Sequence, residues 1–438
     1  MLQTNDKTVS DLSQWPIACS FEEYECDRLG TLMRATKEFG AIFRCGKQMI
    51  FVNDPALIER VLVNTNQQFL VPAVPFRPDL GEDRIADWMA KRHGTARGLH
   101  HEQVFASINQ AVTIIEDQVS RWPDGRQLPL DEEMKQMSYR IVAAYFYGQD
   151  GEQLVTPSRD FVDAVVKFID SPFAFPDWFP QPKRSRMRTQ LARFDRTIAE
   201  LIQKRRTTPS ERPDLLTALM QTCDAQGSAL PEQAMREILI AMTFPSSSIA
   251  AALSWIWLLL MQHQEVTQAL LQETTEILGD GCLERGDLSQ LIYHTCVIKE
   301  ALRLYPPTWL IERNIEASCE INGYLFAQGQ KVFMSPFVTQ RNPQFFSDPD
   351  RFLPERWLDK ENIASLPKYS YFPFGGGPRI CTGATFAMTV LLIAMTSIVR
   401  QYTFHPPGNV AQVRPNPQPF LIPEPSLRVI VKKRAFAA

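Results

Sequence analysis

The feature that most limits how this chain can fold is a glycine-rich loop at residues 371–383, which reads YFPFGGGPRICTG. Its consecutive glycines let the backbone adopt positive φ angles and approach another group closely. The apolar run from Ala384 to Val399 predicts a helix directly after the loop, so Cys381 is expected near a helix N-terminus, which stabilises a thiolate. Such a cysteine can be a nucleophile, a redox sensor or a metal ligand, and a buried structural cysteine beside a tight turn is the alternative.

The remaining sequence predicts a compact, mostly helical domain with small strand pairs. The predicted strands are residues 41–43, 49–52, 320–321, 324–326 and 331–334. Asn322-Gly323 is a strong two-residue turn signal between two of them. One predicted helix begins at Asp54-Pro55. Three others run from Pro231 to about His263, from Asp287 to Leu304 and from Ala384 to Val399. Asp287 and Gln290 resemble a capping box, and Pro245 should kink the long helix that contains it.

Composition and charge exclude several classes of protein. Hydrophobic residues make up 45% and charged residues 22%, as in ordinary globular proteins, and the net charge of −3 favours neither nucleic acid nor an anionic membrane. The most apolar stretch, Ala250 to Met261, is too short for a bilayer span. Residues 1–20 are polar and lack a leader pattern, and eight scattered cysteines form no disulfide or zinc pattern. These features predict a cytoplasmic protein with reduced cysteines.

The spacing around the loop points to a known family. Phe374, Gly377, Cys381 and Gly383 fit the pattern Phe-x-x-Gly-x-x-x-Cys-x-Gly, which closely resembles the heme-binding signature of the cytochrome P450 family. The resemblance implies a mainly α fold with small β-sheets, in one domain over residues 1–438. Heme b would lie between the long central helix and the helix after the Cys381 loop. Cys381 would be the axial iron ligand, and Phe374 would pack near the heme.

Further motifs of that family follow the same order along the chain. Glu300-Ala301-Leu302-Arg303 matches E-x-x-R, and residues three apart on a helix can pair. Pro354-Glu355-Arg356-Trp357 matches the PER element, so the resemblance implies a structural network of Glu300, Arg303 and Arg356. It also implies heme-propionate contacts from four side chains: Trp88 and Arg92 of a W-x-x-x-R pattern, Arg313, and Arg379.

The resemblance implies a monooxygenase that uses O2 and a hydrophobic small molecule. The chain has no room for a flavin reductase, and we find no Gly-rich dinucleotide fingerprint outside the Cys381 loop. A separate ferredoxin or flavodoxin partner is therefore implied, and a role in secondary metabolism is expected. Family positions suggest a substrate pocket lined by Phe76, Phe173, Phe175, Ile240, Ala241, Phe244, Trp309, Leu310 and Pro425. For each of these residues, ordinary core packing is the alternative to a role in the pocket. The sequence does not decide between terpenoid, fatty acyl, aromatic and peptide-derived substrates.

One segment departs from the family. The long helix of relatives carries an acid followed by threonine, which support proton delivery to bound oxygen, but this chain has Phe244-Pro245-Ser246-Ser247-Ser248 there. Ser247 replaces the acid and Ser248 the threonine, so both are candidate catalytic residues. Three interpretations compete: a serine–water chain delivers protons, the enzyme is a peroxygenase that uses hydrogen peroxide, or it catalyses oxidative cyclisation or rearrangement. The alternative from another functional class is a protein that binds heme as a ligand sensor and catalyses no reaction.

Overall fold

The fold was obtained as a computed structural model that describes residues 16–46, 48–72, 99, 101–170, 181–210, 214–222, 229–408 and 410–434. Its backbone packing divides the chain into two compact units. The first comprises residues 1–85, 302–352 and 359–381, and the second comprises residues 86–301, 353–358 and 382–438. The expectation of a single domain over residues 1–438 stays a prediction.

Helices dominate the described chain, and short strands lie between them. The helices are α1 (Phe21–Cys26), α2 (Arg28–Phe39), α3 (Pro55–Val63), α4 (His101–Ala106), α5 (Ile108–Ser120), α6 (Leu130–Tyr147), α7 (Glu152–Ile169), α8 (Pro182–Thr207), α9 (Leu215–Met220), α10 (Glu232–Ala241), α11 (Pro245–Gln262), α12 (Gln264–Leu278), α13 (Ile292–Leu304), α14 (Pro336–Thr339), α15 (Lys360–Ser365) and α16 (Ala384–Gln401). The strands are β1 (Ile17–Cys19), β2 (Ile42–Cys45), β3 (Met49–Val52), β4 (Phe69–Leu70), β5 (Gln127–Pro129), β6 (Ile311–Ile315), β7 (Cys319–Ile321), β8 (Tyr324–Phe326), β9 (Lys331–Met334), β10 (Tyr402–His405), β11 (Arg414–Pro417), β12 (Leu421–Glu424) and β13 (Arg428–Lys433). This architecture confirms the expected mainly α fold with small sheets.

The first unit is built on a mixed six-stranded sheet with the order β1-β2-β3-β9-β6-β4. The strands predicted at residues 41–43 and 49–52 are confirmed as β2 and β3, which pair antiparallel with Phe43 opposite Phe51. β7 and β8 form the hairpin that the Asn322-Gly323 turn signal predicted, and both turn residues have positive φ. Apolar residues of α3, such as Ile58 and Val61, share one buried cluster with residues of β3, β6 and β9. This shared core holds the end of α3 and strand β6 in fixed positions, on which the site depends.

Cys19 and Cys45 form a disulfide bond, which corrects the expectation that the scattered cysteines are reduced. β1 and β2 pair in parallel with Cys19 opposite Cys45, and the two Cα atoms lie 4.8 Å apart. That separation lies within the usual range for a disulfide. Strand register brings the two cysteines together across 26 positions of sequence, and no cysteine spacing pattern signals such a pairing.

Helix α11 is the buried centre of the second unit. Every residue from Ile249 to Met261 is buried, as the nearly continuous apolar surface predicted. The indole N–H of Trp255 donates to the carbonyl oxygen of Leu421 on β12 over 2.9 Å. Helices α6, α12 and α16 pack against α11, and β10, β13 and β5 form a three-stranded sheet in the same unit.

The long predicted helix is interrupted where proline was expected to kink it. Residues 242–244 form turns between α10 and α11, and Pro245 is the first residue of α11. Proline has no N–H and clashes with the carbonyl one turn earlier, so it is accommodated at a helix start but not inside one. The backbone N–H groups of Ser246 and Ser247 bond three residues back, to Thr243 and Phe244, which tightens the turn. The kink is therefore confirmed as a break.

Two helical stretches are long and apolar enough to cross a membrane by length and composition: residues 232–262, of 31 residues, and α16. Length and composition alone are weak evidence for a membrane span, because the buried core helix of a globular protein meets the same criteria. Here 78% and 67% of their most apolar windows are buried inside the structure. Both stretches therefore have the burial of core helices.

The helix predicted from Asp287 to Leu304 begins later than expected. Residues Asp287–Ser289 form a 3-10 turn, and the helix proper, α13, begins at Ile292. The Asp287 carboxylate accepts from the backbone N–H of Glu284 over 2.8 Å, so the expected capping box with Gln290 is wrong. The first turn of α13 is capped instead by Glu273 of α12, whose carboxylate accepts from the backbone N–H groups of Tyr293 and His294.

Candidate functional site

The Cys381 loop is folded tightly on itself. The backbone N–H of Cys381 donates to the carbonyl oxygen of Phe374 over 2.9 Å, and Gly375 N–H donates to Phe372 over 2.9 Å. These bonds bring the backbone of Phe374 beside Cys381, although the two residues are seven positions apart in sequence. Cys381 is one of the exposed cysteines and is not part of a disulfide.

Gly377 provides the close backbone approach that the triple glycine predicted. Its φ is +63°, and a Cβ atom at this position would overlap with the carbonyl oxygen of Leu62, in the last turn of α3. No other residue type fits there without movement of the α3 backbone. The loop and the end of α3 are therefore held against each other within the first unit.

Two predicted propionate-binding arginines meet on one short turn. The Nε atom of Arg313, on β6, donates to Thr65 Oγ1 over 3.0 Å, and the Nε atom of Arg379 donates to Asn66 Oδ1 over 2.9 Å. Thr65 and Asn66 are consecutive residues that follow Asn64, the C-cap of α3. The turn thus orients both guanidinium groups, because it accepts one hydrogen bond from each of them.

Thr65 and Asn66 were not predicted from the sequence. Neither belongs to a motif, and their partners lie roughly 250 and 310 positions away, as the hydrogen bonds show. The one local signal is that asparagine tolerates positive φ, and Asn66 has a φ of +75°. That signal predicts a turn but not its partners.

Arg313 is a buried cation, only 6% exposed. Burial lowers the pKa of its guanidinium to about 10, and the nearby Glu312 opposes that shift. Its second bond goes to the carbonyl oxygen of Glu312, and within the described residues no carboxylate forms an ion pair with it. A buried guanidinium whose hydrogen bonds go to neutral oxygens can bind a carboxylate, because charge-assisted pairing offsets the cost of burying the charge.

Each member of the predicted charge network has hydrogen-bond partners in the structure. Glu300 is fully buried, and its carboxylate accepts from Arg356 Nε over 3.0 Å, from Leu353 N–H over 3.0 Å and from Trp357 Nε1 over 2.9 Å. The guanidinium of Arg303 donates to three backbone carbonyl oxygens, those of Gln340, Pro349 and Arg351. These bonds support the predicted structural role of the three residues.

The two serines proposed for catalysis have different partners. Ser248 Oγ donates to the carbonyl oxygen of Pro245 over 2.9 Å, within its own helix. Ser247 Oγ lies 3.0 Å from the phenol oxygen of Tyr139 on α6. Tyr139 was not predicted from the sequence, because it lies 108 positions from Ser247.

Several predicted site residues lie outside the part of the chain that the structure describes: Trp88, Arg92, Phe76, Phe173 and Phe175. Near the break before α11, Ile240 is buried and Ala241 is exposed, and the Phe244 ring meets Phe161 edge-on at 5.8 Å. In the first unit, Trp309 is buried and Leu310 is partly buried. Pro425, in the second unit, is exposed, and Gly383 is the residue before α16.

A cavity of about 720 Å³ lies elsewhere in the second unit. Its lining is mostly apolar and comes from α4, the turn at Arg285–Ser289 and the first half of α16. None of the described residues predicted for the substrate pocket lines it. This cavity is therefore not the predicted substrate pocket.

The donor set around Cys381 fits heme. A thiolate sulfur is a ligand that suits iron, and a cysteine thiolate is one of the known axial ligands of heme iron. Arg313 and Arg379 offer two guanidinium groups for the two heme carboxylates, and Arg313 is the buried cation that such a carboxylate would balance. Cys381, Arg313 and Arg379 are accordingly the residues that would hold the cofactor.

Comparisons with known proteins agree with this chemistry. The sequence profile described as "Cytochrome P450" matches residues 11–431. The chain is 29% identical over 396 residues to cyclooctatin synthase of Streptomyces melanosporofaciens, covering 87% of this chain and 85% of that protein. It is 28% identical over 306 residues to pentalenene oxygenase of Streptomyces avermitilis, covering 68% of each chain.

A solved structure shows the same fold. The retinoic-acid-bound cyanobacterial CYP120A1 superposes with a TM-score of 0.83 at 20% sequence identity, over 96% of this chain and all of that one. At this identity the likeness is evidence for the fold alone. The profile match over nearly the whole chain establishes more: this protein belongs to the cytochrome P450 family and is a heme b oxidoreductase of the monooxygenase type.

Proposed function

We propose that this enzyme inserts one oxygen atom of O2 into a hydrophobic small molecule, with Cys381 as the axial iron ligand. The reaction consumes two electrons and two protons, and the second oxygen atom leaves as water. Heme, when bound, supplies oxygen activation, and the cysteine thiolate pushes electron density that favours O–O cleavage. The observation that carries this proposal is the Cys381 loop packed on the same α3 end that holds Arg313 and Arg379.

The remaining cofactor contacts follow from family positions. Arg313 and Arg379 bind the heme carboxylates, and Thr65 and Asn66 keep the two guanidinium groups oriented. Trp88 and Arg92 are proposed to contact the same carboxylates, and Phe374 packs beside the iron ligand. The loop around Gly383 completes the cradle.

The proposed substrate is a terpenoid hydrocarbon or alcohol made in secondary metabolism. Two relatives are named for such reactions, pentalenene oxygenase and cyclooctat-9-en-7-ol 5-monooxygenase. The predicted pocket residues are apolar or aromatic, which suits a ligand without charged groups. Phe244, at the helix break, is the pocket residue that we expect to limit substrate size.

Proton delivery is proposed to use the serine hydroxyls at the start of α11, with water or a substrate hydroxyl. Neither serine can carry the negative charge of the usual acid. The replacement of the usual acid by Ser247 also favours a second candidate function, a peroxygenase that uses hydrogen peroxide and needs no proton relay. Turnover with peroxide alone, at the rate of a reconstituted ferredoxin system, would support that second candidate.

Electrons are proposed to come from a separate ferredoxin or flavodoxin in the bacterial cytoplasm. The burial of both long apolar helices supports a location away from the membrane interior. Reconstitution with each class of partner and measurement of product per electron would identify which one supports turnover.

The proposed function is tested by the spectrum of the reduced carbon monoxide complex. With a thiolate ligand, the Soret band takes the long-wavelength position characteristic of this family. We expect this band in the wild type and its loss in Cys381→Ser, while Cys282→Ser, which removes an exposed cysteine outside the site, keeps it. Wild-type protein that binds heme without this band would contradict the assignment of Cys381.

A further inference from the structure

The hydroxyl of Ser247 differs from those of its helix neighbours. Ser248 and Ser254 of α11 both donate back to a carbonyl oxygen of their own helix, at Pro245 and Ala250. This is the usual behaviour of serine inside a helix. Ser247 instead bonds sideways, 3.0 Å from the phenol oxygen of Tyr139 on α6. An α6 side chain therefore determines the orientation of this hydroxyl.

The surroundings of Tyr139 favour its phenol as a hydrogen-bond donor. It is 1% exposed, and burial raises the pKa of its phenol well above the usual value of 10.0. Of the nearby charges on α7, Asp163 raises the pKa of the phenol and Arg159 lowers it, and both effects are smaller than that of burial. The raised pKa favours the protonated phenol at neutral pH. A phenol is a more acidic and stronger donor than an aliphatic hydroxyl, so in this pair Tyr139 donates and Ser247 accepts.

The direction of this bond has a consequence for Ser247. Because its oxygen accepts the phenol proton, its own O–H is left to donate to another acceptor. The neighbouring residue Ser138 strengthens the arrangement, since its Oγ donates to the carbonyl oxygen of Ser246 over 2.7 Å. Two consecutive residues of α6 thus hold two consecutive residues of α11, directly after the break at Pro245.

We propose that Tyr139 is the positioning residue for Ser247, which stands where relatives carry the acid. The inference rests on the proposed proton delivery by the serines of α11. Tyr139 holds Ser247 as an outward-pointing donor, and without the phenol Ser247 turns back onto its own helix, as Ser254 does. Tyr139 needs no contact with heme or substrate for this role.

The bond itself is tested by carbon-13 NMR of protein labelled at tyrosine Cζ, in the reduced carbon monoxide form, which is diamagnetic. The Tyr139 signal is identified by its absence in Tyr139→Phe. We expect this signal to move in Ser247→Ala, to stay near the wild-type position in Ser247→Thr, and to be unchanged in Ser248→Ala. A signal unmoved in Ser247→Ala would overturn the proposal.

The role in the reaction is tested by coupling, the product formed per electron consumed. Loss of one orienting hydrogen bond should lower coupling about fivefold in Tyr139→Phe, with a matching rise in hydrogen peroxide. Ser247→Ala should show the same loss, and the double variant no more than either single one. Tyr402→Phe is the matched control, because it removes another buried phenol, which donates to Val119 O over 2.8 Å, and should keep wild-type coupling.

The outcomes separate this inference from the proposed function. If Ser248→Ala loses coupling while Tyr139→Phe keeps it, the serines deliver protons and the role of Tyr139 is refuted. If the reduced carbon monoxide complex lacks the thiolate band, the proposed function itself fails. If Tyr139→Phe does not fold, Ser247→Ala against Ser247→Thr decides: equal coupling in the two would overturn the proposal, and retained coupling only in the threonine variant would support it.

Discussion

At the scale of single residues, the loop that carries Cys381 depends on two glycines with similar backbone angles and different surroundings. Gly375 has a φ of +69° and Gly377 a φ of +63°, so both occupy the left-handed region. The nearest atom to an added Cβ at Gly375 is Ile311 Cδ1, at 3.8 Å, which is ordinary contact. At Gly377 the Cβ would meet the backbone of Leu62, which cannot move without α3.

We therefore predict unequal effects of the same substitution. Gly375→Ala should lower the free energy of unfolding by about 1–2 kcal/mol, which is the cost of a left-handed alanine. Gly377→Ala should cost 3 kcal/mol or more, roughly the strain plus a steric overlap, and should weaken heme retention as well. Urea unfolding and the heme content of the purified variants measure both effects. Equal losses of stability in the two variants would show that the contact between residue 377 and α3 does not contribute to the difference.

At the scale of elements, the start of α13 is fixed by a neighbouring helix. Glu273 of α12 accepts from two backbone N–H groups of α13 and from the ring of His294, whose Nδ1 lies 2.6 Å from the carboxylate. His294 is fully buried, and Thr274 lies 3.2 Å from its other ring nitrogen. Burial lowers the pKa of His294 below 6.5, against the opposing effect of Glu273, while the hydrogen bonds lower the pKa of Glu273 below 4.5 despite burial.

The sign of the pH dependence follows from these directions. A histidine whose pKa is lower in the folded state binds fewer protons there than in the unfolded chain at pH values below about 6.5. Its contribution to stability is complete above that pH and is lost as the pH falls. We predict that the free energy of unfolding decreases from pH 7 to pH 5, and that the decrease is smaller in His294→Gln. Chemical unfolding at several pH values measures this slope, and an unchanged slope in the variant would contradict the prediction.

At the scale of the whole molecule, Glu300 fixes a segment that is distant in sequence. Its carboxylate binds Leu353, Arg356 and Trp357, which lie more than 50 positions further along the chain. Glu300 is 0% exposed, and the Arg356 side chain is 9% exposed. An isolated charge at such a site is costly, so the two charges depend on each other.

Removing the negative charge should therefore destabilise the protein strongly. We predict that Glu300→Gln lowers the free energy of unfolding by about 3–5 kcal/mol, because it removes the negative charge that the buried Arg356 cation contacts. Arg121→Ala breaks an exposed ion pair with Asp117 and should change little, since exposed pairs are screened by water. Thermal and urea unfolding compare the two variants. A small effect of Glu300→Gln would mean that Arg356 finds other acceptors.

By itself, the sequence determined the parts of this protein that depend on neighbouring residues. The glycine loop before Cys381, the Asn322-Gly323 turn, the break at Pro245 and the mainly helical fold all follow from local backbone preferences and apolar patterns. The tertiary structure alone decided which distant residues pair. Thr65 and Asn66 accept hydrogen bonds from Arg313 and Arg379, Tyr139 bonds to Ser247, Cys19 and Cys45 form a disulfide, and Glu273 caps the start of α13. Each of these joins residues far apart in the chain, and packing of whole elements brings them together. Backbone preference acts over a few residues, whereas a hydrogen bond between distant side chains forms only after the core has set the distance between their helices and strands.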